Sequence, residues 1–175
     1  MAKRWTENEL LIAMNVYCRL PFGKLDQRTP LIVRVAEKMG RTPSSLSMKL
    51  CNFASFDPAL QARGVKGLPG ASRADRAMWD AFHANWNEMS DKSETAFDQL
   101  MEKGTRPSGE QTSMPTGESE TTATLKVRRH QQFFRNTVLA SYEQRYALSL
   151  VAVPALLHAS HIIPWSVSEQ RRTDP

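Results

Sequence analysis

The sequence predicts an α+β fold that is mainly α: a helical N-terminal domain over 1–90, a largely disordered linker over 91–124 and a smaller mixed piece over 125–175. Three observations carry this. Helix-capping residues and apolar residues at helical spacing recur through the first 90 positions. The stretch from Lys103 to Thr124 then has almost no large apolar side chain and is rich in Gly, Pro, Ser and Thr. Such a segment cannot bury enough surface to offset the entropy of ordering it. Beyond it, a helical pattern from Lys126 to Tyr142 gives way to two short apolar runs, 146–153 and 155–163, split at Pro154, which read as extended segments.

The N-terminal elements follow from their ends. Thr6 is a good N-cap, and Glu9 three residues later completes a capping box, with Trp5 as the apolar half of a staple. Leu10, Ala13, Met14 and Tyr17 recur at helical spacing until Pro21 stops the helix. A second helix fits Pro30 to Met39, with Pro30 in its first turn and Gly40 at its C-terminal cap. Thr42 and Pro43 start a third helix that runs to about Phe53. A last helix begins at Ser72 with Asp75 as its capping partner, and buries Trp79, Phe82, Trp86 and Met89.

The second and third of these form a helix-turn-helix pattern: a helix ending at a glycine, a short turn, then a helix that opens with small polar residues. In that arrangement the start of the later helix enters the major groove. Ser44, Ser45 and Lys49 are then expected to face bases or phosphates, and Arg41 in the turn to meet a phosphate. Leu46, Leu50 and Met48 are expected to pack inward. Trp5-Thr6 with Glu9, and later Gly40-Arg41-Thr42-Pro43, also resemble Myb-like modules. A glycine turn between helices is equally at home in a three-helix domain with no nucleic-acid role.

Charge agrees with a polyanionic partner. Residues 1–76 carry 13 Lys/Arg against 6 Asp/Glu, residues 77–125 carry 3 against 9, and residues 126–175 carry 7 against 3. Two basic lobes around an acidic join suit two DNA-facing surfaces. Two cysteines, Cys18 and Cys51, exclude a disulfide scaffold and a four-cysteine zinc module, and read as buried reduced thiols. The glycines of the loop from Arg63 to Gly70 lack the spacing of a phosphate-binding loop, although a basic loop of this kind suits a phosphate backbone. The longest apolar stretch, 150–157, is far short of the roughly 20 residues a membrane span needs. No secretory signal opens the chain, so a cytoplasmic protein without membrane contact is expected.

The C-terminal piece carries a resemblance. Gln132-Phe133-Phe134-Arg135, then Val138-Leu139 and Tyr142, then Leu156-Leu157-His158-Ala159-Ser160-His161-Ile162-Ile163-Pro164-Trp165 resemble the opening of an HNH endonuclease domain. The nearest likeness is to bacterial restriction-type HNH proteins with a helical N-terminal domain, so it covers most of the chain outside the linker. The resemblance implies a ββα-metal nuclease acting on double-stranded DNA, with His161 as the general base that takes a proton from the attacking water. Histidine suits that task because it is unprotonated yet basic near neutral pH. A divalent metal (Mg²⁺, Mn²⁺ or Zn²⁺) is implied for the complete family domain. The basic cluster Arg128-Arg129, beside His130 at the start of its helix, is expected to face phosphates. His158, three residues before His161, falls on the opposite strand face and is not expected to share a metal with it.

The family pattern continues with an asparagine-bearing second strand and a helix with metal-ligand histidines, and neither follows before Pro175. Relatives also commonly carry a cysteine and a Thr-Gly turn where this chain has Tyr146 and Ser149-Leu150. The expectation is therefore an incomplete ββα domain: an HNH-type endonuclease in truncated form, inactive alone and without bound metal, no residue being assigned as a metal ligand. Two other readings are a non-catalytic DNA-binding protein with a nuclease remnant, and an interaction module that uses the helix of Trp79, Phe82 and Trp86.

Overall fold

The structure, a computed structural model, describes residues 4–102, 120–146, 152–153 and 157–159, with the side chains of 120–130 outside the description. The described residues are mainly helical: α1 (Glu7–Arg19), α2 (Pro30–Met39), α3 (Pro43–Ala54), the short α4 (Pro58–Ala62), α5 (Arg73–Ala84), α6 (Trp86–Glu102) and α7 (Glu120–Ser141). No strand occurs among them. The ββα unit expected at the C-terminus falls almost wholly on residues outside the description.

The predicted helix ends are made as their chemistry requires. Thr6 N–H donates to Glu9 Oε2 at 2.8 Å and Glu9 N–H to Thr6 Oγ1 at 3.3 Å, closing the capping box of α1. Ser72 and Asp75 make the same reciprocal pair at α5, at 2.8 and 3.2 Å. Each satisfies backbone donors that a helix start leaves without an internal partner.

α1 lies at the centre and packs against α2, α3, α5, α6 and α7. Residues 9–16 and Cys18 are all buried, so the helix is surrounded rather than laid on a surface. Its one fully buried polar side chain in that run, Asn15, is matched by α6: Nδ2 donates to Ser93 Oγ at 3.1 Å and to Glu94 Oε1 at 2.6 Å. Arg19 Nε donates to Asn15 Oδ1 at 2.7 Å, and its guanidinium lies 4.3 Å from the Phe97 ring centroid. Buried polar groups need such partners, since each left unpaired costs about 1–3 kcal/mol.

Two boundaries differ from the sequence expectation. The helix expected to continue through Trp86 and Met89 breaks at Asn85, where φ is −146° and ψ 73°, and a new helix starts at Trp86. That helix reaches Glu102, so residues 91–102, expected in the linker, are helical and bury Ser93, Glu94, Ala96 and Phe97. Lys38 Nζ donates to the Met101 carbonyl at 2.7 Å, fastening the end of α6 to α2. α7 also joins this core: Phe133 is fully buried in the same cluster as Phe53 and Phe82, 5.9 Å from the Trp86 ring.

Candidate nucleic-acid interface

α2 and α3 meet at a turn built on Gly40. Its φ of +66° is left-handed, a conformation that costs other residues about 1–2 kcal/mol. Gly40 N–H donates to the Glu37 carbonyl at 3.0 Å and Arg41 N–H to the Ala36 carbonyl at 2.9 Å, using carbonyls that the end of α2 would otherwise leave open. Thr42 caps α3 by accepting from Ser45 N–H at 3.2 Å, and Pro43 occupies the first turn.

This geometry turns Leu46, Leu50 and Phe53 fully into the core. Beside it, α3 forms a concave patch lined by Trp5, Thr42, Ser44, Ser45, Met48, Lys49 and Asn52. Thr42 and Ser44 are exposed and Ser45 is half-buried. Met48, expected to pack inward, is 57% exposed. Two residues from both Leu46 and Leu50, it lies about 200° around the helix from each.

The two cations expected to meet DNA from this motif are committed within the protein. Lys49, expected to face bases or phosphates, is 7% exposed, and its Nζ lies 2.6 Å from Asp75 Oδ1. Asp75 is fully buried and also receives Asn52 Nδ2 at 3.3 Å. Burial leaves the ammonium little solvent, so a carboxylate within hydrogen-bond distance holds it inside. Arg41, expected to meet a phosphate, donates from Nε to Glu9 Oε1 at 2.9 Å and from Nη2 to Glu9 Oε2 at 2.8 Å. Its guanidinium covers the Trp5 ring at 4.1 Å, so Trp5 is a floor for a cation rather than only an apolar staple. The bidentate pair with Arg41 holds the Glu9 carboxyl down to a pKa of about 2, against an ordinary 4.5.

Exposed cations stand elsewhere. Arg73 and Arg76 occupy the first turn of α5, next to Asp75, and Lys66 lies in the loop before it. Arg34 is exposed on α2. Sequence reasoning passed over Arg73 and Arg76, although both sit beside the Ser72–Asp75 cap that marks the helix start.

Of the remaining expected site residues, Arg128 and Arg129 lie on α7 at positions whose side chains fall outside the description, as does His130. His161 lies outside the described residues altogether. His158 is described and exposed. Burial pushes the Cys18 thiol up to about 12 and raises that of Cys51, the opposite of what a nucleophilic thiolate requires. Among the described residues no group of three His, Cys, Asp or Glu side chains could hold a metal ion, and no helix is long and apolar enough to cross a membrane.

No protein-family model, curated protein or solved structure matches the chain. The chemistry of the described site therefore rests on its own geometry. It offers an exposed helix start with hydroxyl donors and acceptors, a thioether and a carboxamide along one stripe, over a base made rigid by two ion pairs. Such a stripe suits hydrogen-bonded and apolar contacts to base edges.

Proposed function

We propose that the chain is a DNA-binding protein of the HNH endonuclease type, in which α2 and α3 dock on duplex DNA with the outer face of α3 in the major groove. The observation that carries this is the exposed polar start of α3, Thr42 and Ser44 with Ser45 and Met48, presented behind the left-handed Gly40 turn. An α-helix fits a groove roughly 12 Å wide, and a helix start directed at it brings base-contacting side chains within reach. The basic balance of residues 1–76 supports the same partner.

The nuclease part of the reading rests on the resemblance of the segment around His161, with that residue as the general base. Arg128 and Arg129 are proposed as phosphate contacts from α7. The divalent metal of the family finds no ligand set among the described residues.

The test is duplex binding by the 175-residue chain as a function of salt, with a plasmid-nicking assay in Mg²⁺ or Mn²⁺ alongside. Binding that weakens steeply with salt is expected. No binding at low salt would sink the DNA reading, and nicking that survives His161→Ala would overturn the role proposed for that residue.

A further inference from the structure

We propose that the first turn of α5, together with the loop before it, is a second DNA-contacting surface that grips the phosphate backbone beside α3. This rests on the reading of α3 as the groove-facing helix and adds the element that supplies the charge.

The placement follows from the buried cluster on α3. Asp75 lies in the first turn of α5 and takes the Lys49 ammonium at 2.6 Å and the Asn52 carboxamide at 3.3 Å, so the start of α5 is fixed against the middle of α3. Asn52 is half-buried and also lines the concave patch of α3, so the first turn of α5, which carries Arg73 and Arg76, packs behind that end of the patch. Both arginines are exposed, and three residues apart they share a helix face. The Arg76 guanidinium lies 5.0 Å from the ring of Phe56, just past the end of α3, and meets Asp80 at 3.1 Å. Both members of that pair are 58% exposed, so the contact is weak, and a guanidinium has five donors, enough for Asp80 and a phosphate together.

The loop adds Lys66 at the same end of α3. Gly67 follows it with φ +59°, and a Cβ there would come within 2.7 Å of the Ser55 backbone. Leu68 N–H donates to the Cys51 carbonyl at 3.4 Å. The backbone of the loop is thus pressed onto the last turn of α3, and only a glycine permits the approach. Lys66, Arg73 and Arg76 therefore flank the half of α3 that follows the groove-facing turn. Asp75 is neutralised by Lys49, and Asp80 meets Arg76 in an exposed pair. A helix seated in the major groove has a phosphate strand on either side, so cations flanking it meet backbone rather than bases.

The test compares equilibrium binding of a labelled duplex by the full chain, at 50–200 mM salt, for the unmodified protein, Arg73→Ala/Arg76→Ala and Lys92→Ala. Lys92 is an exposed cation on α6, which packs against α1, α2, α5 and α7. The double variant is expected to lower the slope of log affinity against log salt by about 2, near 0.9 per phosphate contact, equally for unrelated duplex sequences. Lys92→Ala is expected to leave the slope in place. An unchanged slope in the double variant, or an equal loss in Lys92→Ala, would overturn the second surface while leaving the reading of α3 intact. Failure of the unmodified protein to bind at 50 mM salt would overturn both.

Discussion

Two sets of cations surround α3, and the structure uses them differently. Arg41 and Lys49 belong to the helix-turn-helix segment itself, and each is held by a carboxylate from another helix, Glu9 of α1 and Asp75 of α5. Arg73 and Arg76 belong to a helix that the motif does not include, and they are exposed. The first set builds the platform and the second is available to a polyanion. A cation's position in a motif thus says less about its role than burial against a carboxylate, which sequence distance hides: Lys49 and Asp75 are 26 residues apart, Arg41 and Glu9 are 32, and both pairs are buried, whereas the Arg76–Asp80 pair is exposed.

The sharpest break between the two sets is stability. Lys49→Met leaves Asp75 buried without its counter-ion and is expected to destabilise the fold by about 3 kcal/mol, read by urea unfolding. Adding Asp75→Asn to Lys49→Met is expected to recover part of that loss, because no isolated charge then remains buried while an amide oxygen can still accept from Ser72 N–H. A Lys49→Met protein as stable as the unmodified chain would place Lys49 with the exposed set instead.

Glu9→Gln tests the other platform pair with a smaller effect, about 2 kcal/mol near neutral pH, since hydrogen bonds to charged groups are worth about 1.5–3 kcal/mol. The pH dependence has a definite sign. Glu9 has a folded pKa of about 2 against an ordinary 4.5, so its stabilisation is complete above 4.5 and is lost as pH falls from there towards 2. Unfolding free energy measured across that window should fall less steeply in Glu9→Gln than in the unmodified protein. Parallel curves would show that the Arg41 pair contributes nothing there.

Much of the fold was legible because its helix ends are local chemistry. Thr6 with Glu9, Thr42 with Pro43, and Ser72 with Asp75 each declare a helix start within four residues. Asn85 with Glu88 is a similar signal, with Glu88 N–H 3.4 Å from Asn85 Oδ1, but the unbroken spacing of Trp79, Phe82, Trp86 and Met89 concealed it. The far half of α6 reads as linker in the sequence because its buried face includes Ser93 and Glu94, polar residues matched by Asn15 of α1. The outer patch of α3 was legible as a location, but its cations were not. Ser44 and Ser45 line the outer patch as the motif suggested, while Met48 is there on helical phase alone and Lys49 turns to a partner that only the tertiary fold supplies.

The proposed docking of the outer face of α3 on duplex DNA is tested most directly by placing negative charge there. Ser44 and Met48 are exposed, and an acidic residue in the first turn of a helix is favourable, so Ser44→Glu/Met48→Glu should leave the thermal midpoint in place. Measured at one fixed salt concentration, its duplex affinity is expected to fall at least tenfold, or about 1.4 kcal/mol. Unchanged affinity in a variant of unchanged stability would contradict the claim.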